Sequence, residues 1–488
     1  MSGGFYNQRQ YAGPIAKKAR FGPAKGPQFI SSQPNFEEDG KRLMSFKEFM
    51  SIQHNDIAEH DALSRYIDYK TEFTRRQIDK FFKEHQDEEW FRSKYRPAEI
   101  KKFQDAAKES KARRKTIYEQ LSKKMEETSK LEVQLDYEHN QTVAQFLDNF
   151  SLMLEGATID EIESGEAAKK YAVSSIFIPT VHQSIDKAMI EEYAAQHPGF
   201  LRVAMSDAQP DRGYKRRAWI TYKQMDPDSL RKLCWEYNAH KFNGQETKAI
   251  VNKETNNRIR YTQFWFCHTE SAKSDLKNVS KMLTHFEGED CPMLEAIKDY
   301  LIEETNEEEQ VLGVNEQNTT TFEFTQDPDL FKALDKIILY LRVVHSYDYY
   351  ASTEYNCEDD MPQRVGIMFC RPLLPTTYGD APISTLKDFI EASKRRIDHF
   401  LEKPTLSEID QKHLGKRNSD EEVENFIYQH TFEKKPGEKY VCKLTKKRFT
   451  APEFVRKHIF NRCSDKLDEV RAEVEFFNNY IADPRRPM

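Results

Sequence analysis

Residues 171–253 place the strongest constraint on the fold, because their apolar period switches between about 2 and about 3.6 in the order strand, helix, strand, strand, helix, strand. Ser175-Ile176-Phe177-Ile178 reads as a short strand, Ser184–Gln196 as an amphipathic helix opened by a serine cap, and Leu201–Met205 as a second strand. Arg217–Tyr222 gives a third strand and Asp226–Tyr237 a second helix, with Asp226 as cap and Pro227 in its first turn; Thr247–Val251 gives a fourth strand. That order predicts a ferredoxin-type α/β domain. With Ile176 and Ile178 directed to the core, the alternation of a strand turns Phe177 outward.

Domains of this order read single-stranded RNA by stacking bases on aromatics of the two central strands. Phe177 fills one position. In the third strand, Lys215, Ala218, Trp219, Ile220 and Tyr222 match the expected octapeptide, while Arg216 replaces its glycine and Arg217 its first exposed aromatic. A guanidinium can stack on a base and pair with phosphate, so Phe177, Lys215, Arg216, Arg217 and Trp219 form a candidate RNA site of low sequence selectivity. The alternative is that a neighbouring helical domain covers these aromatics and the sheet serves protein contact.

The rest of the chain is predominantly helical, so the expected class is a multidomain α+β protein. Residues 1–38 form a basic tail too rich in Gly, Pro, Ser and Gln to fold, with Lys17, Lys18 and Arg20 as a nuclear-import signal or as plain solvated charge. An N-terminal helical domain over 39–154 carries Trp90 and Phe91 just before Pro97, which stops or restarts its helix. An acidic linker is expected over 155–170 and the RRM-like domain over 171–253. A helical middle region follows over 254–330, then a helical support over 331–435 with a strand at Val365–Phe369. Within that support, Ala333–His345 is the most apolar helix and reads as a central strut, and Thr385–Lys403 is a further helix. A finger module occupies 436–466. The terminal helix and tail, 467–488, present Leu467, Val470, Val474, Phe477 and Tyr480 on one face that needs a partner.

The finger has the frame Cys442-x2-Thr445-x3-Phe449-x5-Val455-x2-His458-x4-Cys463. Two apolar slots at this spacing predict a C2H2-like ββα unit. Tetrahedral zinc needs four donors, and Thr445 stands where the second cysteine belongs, so zinc would rest on Cys442, His458 and Cys463 with one ligand missing. Formal net charge over the whole chain is −7, yet nine lysines and arginines lie between Lys439 and Lys466 against two acids. Such a local patch attracts phosphates or acidic peptides. Lys443, Lys446, Lys447, Arg448, Arg456 and Lys457 are its candidate binding residues.

Other classes find little support. Seven scattered cysteines form no framework and fit reduced thiols; no apolar run approaches the ~18–20 residues that span a bilayer. No phosphate-cradling glycine loop or nucleophile elbow occurs, and His345 with Asp348 reads as a helix-end contact, so catalysis is not expected. A DNA-binding transcription regulator acting through the finger is the alternative, although one finger reads only about three base pairs.

Five segments together resemble the Serrate family of RNA effector molecules, also called arsenite-resistance protein 2 in animals. They are Met44–Phe49, Asp87–Tyr95, Pro198–Ala204, Leu341–Tyr350 and Pro452–Asn461. The expected protein is a non-enzymatic, monomeric adaptor found in the nucleus or also in the cytoplasm, and the resemblance implies that it links capped transcripts and the nuclear cap-binding complex to primary microRNA processing, RNA export, histone-transcript maturation and decay. It also implies that the finger's basic face, here Lys446, Lys447, Arg448, Arg456 and Lys457, receives short acidic motifs of effector partners. Relatives in animals carry His where this chain has Cys463, and continue beyond the last helix into a tail that docks on the cap-binding complex; docking by that route is not expected of a chain ending at Met488.

Overall fold

A computed structural model describes residues 37–38, 41–52, 59–128, 133–253, 257–295, 297–298, 326–373, 383–402, 405–435 and 439–488. Residues 1–36, with the basic cluster of the tail, and much of the middle region after residue 298 lie outside the described residues. The chain divides into two compact units, up to Gln77 and from Ile78 onward.

In the first unit, Ser45 and Glu48 exchange side-chain and backbone hydrogen bonds that start the Phe46–Ile52 helix. Phe49 stacks on Tyr69, and the hydroxyls of Tyr66 and Tyr69 bond the backbone of Met44.

The second unit is built on a helical body. The Pro328–Val344 helix is buried on nearly every side, as its near-continuous apolar sequence requires, and packs against helices Pro97–Thr128 and Thr269–Glu287. The predicted strand at Val365–Phe369 is displaced to Met368–Cys370, where it pairs in parallel with Ile259–Tyr261. Pro97 restarts the helix after Arg96 adopts an extended conformation. Trp90 and Phe91 are buried beside Phe82, and Phe476, Phe477 and Tyr480 of the final helix, Ser464–Ala482, close over them. The apolar face of that helix thus finds its cover within the unit.

Several charges inside this body are paired. Arg342 grips Glu358 through both terminal nitrogens, at 2.9 and 2.6 Å, and the amide of Gly366 donates to the same carboxylate. Arg371 pairs with Asp335, and Arg114 donates to Asp359, to the carbonyl of Val343 and to that of Arg364. His345 bonds Glu287 at 2.8 Å, while Asp348 accepts from the amides of Phe369 and Ala351. The two are therefore separate structural groups, each with its own partner.

Residues 155–170, expected as an acidic linker, are folded. Thr158 and Glu161 form a capping box that opens a short helix at Ile159–Glu163, a second follows at Ala167–Lys170, and Ala167 is buried. The acids of this stretch cap helices and pair with arginines, which composition alone does not reveal.

Asp275 is fully buried, accepts a 2.6 Å hydrogen bond from Tyr349 on one oxygen and has no partner for the other; burial pushes its carboxyl up to about 7. Since this lies above the unfolded value of about 3.9, the proton's contribution to stability is complete below that value and lost as pH rises through about 7. Asp275→Asn should therefore gain on the parent protein by on the order of 2–4 kcal/mol between pH 4 and pH 7 and gain nothing more above it. Paired urea-unfolding series check this; a difference that does not vary with pH contradicts it.

Candidate functional site

The RRM-like sheet has the strand order Phe200–Met205, Arg216–Lys223, Val173–Val181, Ile250–Val251, with every neighbouring pair antiparallel. Ile176, Ile178, Ala218 and Ile220 are fully buried against the two helices Lys187–Ala194 and Pro227–Ala239. Asp226 caps the second helix, accepting from the Ser229 amide at 2.8 Å. Ser184 does not cap the first. Its hydroxyl and amide both meet Nδ1 of His182, so that helix starts later, with Asp186 at its N-cap.

Alternation places Phe177 and Trp219 opposite one another on the other face, ring centroids 5.2 Å apart and both half-exposed. Ile250 pairs with Phe177 from the far side and is 52% exposed, so an apolar stripe crosses three strands. The fourth strand was legible in the sequence; that Ile250 would share the stripe depended on its register against Phe177.

The basic candidates separate. Lys215 is exposed and Arg217 half-exposed at the end of the third strand. Arg216 is not available to RNA: it is buried, and its guanidinium donates to Glu89 at 2.8 Å and to the carbonyl of Ile185 at 3.0 Å. Alternation turns it away from the face that carries Trp219. Tyr214, just before it, holds φ 59° and stacks on Trp90 at 4.8 Å, which pins the loop to the helical body. Arg202 was not foreseen. It lies opposite Thr221 on the stripe's own face, but Glu155 and the carbonyls of Met361 and Pro362 take up its guanidinium. Thr221 is fully buried, so that end of the face is closed and only the end with Phe177, Trp219 and Arg217 stays open.

The finger is a three-stranded sheet, Thr431–Lys435, Lys439–Cys442 and Arg448–Phe449, packed on the helix Pro452–Arg462. The first strand adds to the expected ββα unit. Arg448, Phe449, Phe454, Lys457, His458 and Arg462 line a groove of about 450 Å³ between the edge strand and the helix. Phe454, His458 and Arg462 share one helix face at four-residue steps, a signal present in the sequence. Lys446 closes the turn at φ 59° and, like Lys447, is exposed. Two candidates are already engaged: Arg456 is paired with Glu424, and Lys443 donates to the carbonyl of Gln429.

The three expected zinc ligands each have other contacts. Cys442 is fully buried in the apolar cluster, Nε2 of His458 is hydrogen-bonded to the Thr445 hydroxyl at 2.9 Å, and burial with Cys442 nearby pushes the Cys463 thiol up. Among the described residues no three His, Cys, Asp or Glu side chains converge on one point. Thr445 puts a neutral hydroxyl where a fourth donor would stand.

These features define a multidomain protein that carries an RRM-like sheet and a finger module on a shared helical body. The chain belongs to the Serrate/Ars2 family. A family model for the SERRATE/Ars2 N-terminal domain matches residues 47–159, one for the RNA-recognition domain of Serrate RNA effector molecule homologues matches 171–255, and one for arsenite-resistance protein 2 matches 375–488. Serrate RNA effector molecule homologues of Caenorhabditis briggsae and Caenorhabditis elegans are each 30% identical over 91% of this chain, covering 75% and 76% of their own length. Homologue B of Xenopus laevis is 29% identical over 91% of this chain and 70% of its own. A solved structure described as giving molecular insights into miRNA processing by Arabidopsis Serrate aligns over 90% of this chain and 97% of that one at 14% identity, with a TM-score of 0.28, too low to carry an argument.

Arg216→Ala should lower stability by about 2–4 kcal/mol, because it removes the ion pair to Glu89, the bond to the Ile185 carbonyl and a buried strut. Lys215→Ala should stay within about 0.5 kcal/mol of the parent protein. Urea unfolding of both variants checks the contrast, and equal effects contradict the division of these neighbouring bases.

Proposed function

We propose that this protein is a non-enzymatic adaptor in RNA processing that holds single-stranded RNA on its RRM-like sheet and short acidic motifs of partner proteins in the finger groove. The observation that carries this reading is the coexistence, in one chain of net charge −7, of an open aromatic stripe and a separate groove lined by Arg448, Lys457 and Arg462. Each stacked base contributes about 1–3 kcal/mol without demanding a particular sequence. In the groove, cations beside Phe449 and Phe454 favour carboxylates on a short extended peptide. Duplex DNA is the weaker candidate there, since one finger covers about three base pairs.

Family membership supports the wider role: a nuclear protein, present also in the cytoplasm, that couples capped transcripts and the cap-binding complex to primary microRNA processing, export, histone-transcript maturation and decay. The effectors would be the carriers of acidic motifs, and the RNA would be unpaired stretches of capped transcripts.

Two measurements separate the surfaces. Trp219→Ala should weaken binding of a fluorescent single-stranded RNA by about 5- to 150-fold, with acidic-peptide binding unchanged; retention of full RNA affinity removes the stripe from the RNA site. Lys446→Glu with Lys457→Glu should abolish salt-sensitive binding of a peptide rich in Asp and Glu and leave RNA binding near the parent level. Undiminished peptide binding by that double variant moves the acidic ligand elsewhere.

A further inference from the structure

A free-standing finger of roughly thirty residues buries too little apolar surface to fold alone, and zinc supplies the missing free energy. This finger is not free-standing. Val455 and Ile459 of its helix and Cys442 of its strand are sealed in one cluster with Val423 and Ile427 from the preceding helix, Ser419–His430, and Leu467 from the following one. Val455, Ile459 and Cys442 are each fully buried. The flanking helices thus provide the core that a solitary finger lacks.

A second observation falls where the metal would sit. Thr445 occupies the second ligand position of the frame and His458 the third, and their side chains are joined directly, Oγ1 to Nε2 at 2.9 Å. This bond clasps the strand–strand turn to the helix across thirteen residues of sequence. Phe449 packs on the same imidazole with centroids 5.0 Å apart, fixing its ring. The turn itself is closed by Lys446 and Lys447, through the Lys446 amide to the Cys442 carbonyl at 2.8 Å and the Cys442 amide to the Lys447 carbonyl at 3.0 Å. Cys463 packs, partly buried, against the cluster that contains Cys442.

We infer that this finger is a metal-independent module, in which the Thr445–His458 hydrogen bond and a core shared with the flanking helices stand in place of zinc. Thr445 is the residue that excludes the metal. The other three donor positions of a four-ligand frame, Cys442, His458 and Cys463, are already occupied by ligand-type side chains. A thiolate at 445 would supply the missing fourth donor beside His458 Nε2, and metal would then have to draw Cys442 and Cys463 in to the same point.

The test uses the full chain. Elemental analysis of protein purified in zinc-supplemented medium should find less than stoichiometric zinc, and a chelator should leave both Tm and amide-exchange protection of residues 439–463 unchanged. Thr445→Cys should take up one equivalent of zinc or cobalt, show thiolate-to-cobalt charge-transfer absorption, and become chelator-sensitive in Tm. Thr445→Val should speed exchange in the finger helix while Thr445→Ser preserves protection, a comparison that stands even if the cysteine variant does not fold. Stoichiometric zinc whose removal unfolds the finger of the parent protein overturns the inference. So does a folded Thr445→Cys variant that binds no metal, or a valine variant as well protected as the serine one.

Discussion

The Arg342–Glu358 pair anchors the segment on which the second unit is assembled. Both groups are buried; burial by itself would push the Glu358 carboxyl up, and Arg342 and Arg114 beside it bring it below its ordinary range. Taking two charges into a core is costly, and removal of one partner typically costs about 3–5 kcal/mol because the other is stranded. Here the pair fixes the bridge from Glu358 to Gly366. Asp359 receives Arg114, Asp360 receives Lys187 of the RRM-like domain at 2.7 Å, and the carbonyls of Met361 and Pro362 receive Arg202 of its sheet. Gly366 closes the bridge where a Cβ would lie 3.4 Å from the Glu358 carboxylate. A salt bridge inside a helical body thereby sets the position of the sheet beside it.

The two ends of the RRM-like domain are held by different chemistry. At the Arg202 end the ties are ionic and to backbone carbonyls; at the Arg216 end they combine an ion pair to Glu89 with the stack of Tyr214 on Trp90. Both sets of partners come from segments that the sequence shows as separate. The finger is joined mainly through apolar side chains, with the Arg456–Glu424 pair and the Lys443 bond to the Gln429 carbonyl at the surface beside them.

Elements with a strong period were legible from residues alone: the four strands and two helices of the RRM-like domain, the Pro328–Val344 helix and the final helix all follow from apolar spacing. Boundaries moved where a polar group found an unexpected partner. Ser184 gave its hydroxyl to His182, and the acids around residue 160 became caps and ion pairs. The candidate RNA site was legible in its aromatics and misread at Arg216, since a basic motif does not say which of its members alternates inward. Arg202 and Ile250 were invisible for the same reason in reverse, as their roles come from cross-strand register and from a bridge more than a hundred residues away. The basic finger face was legible as charge; which cations are free was not, because Glu424 and the Gln429 carbonyl lie outside the motif.

Closure of the sheet at Arg202 limits how much the domain can read. With one end sealed, the open stripe offers stacking for a base or two and few fixed donors or acceptors to tell them apart. A surface of that size carries very little information about a transcript's identity. Under the proposed function, discrimination among transcripts would come from the company the protein keeps, with the sheet reporting only that an unpaired strand is present and the partners deciding what it means.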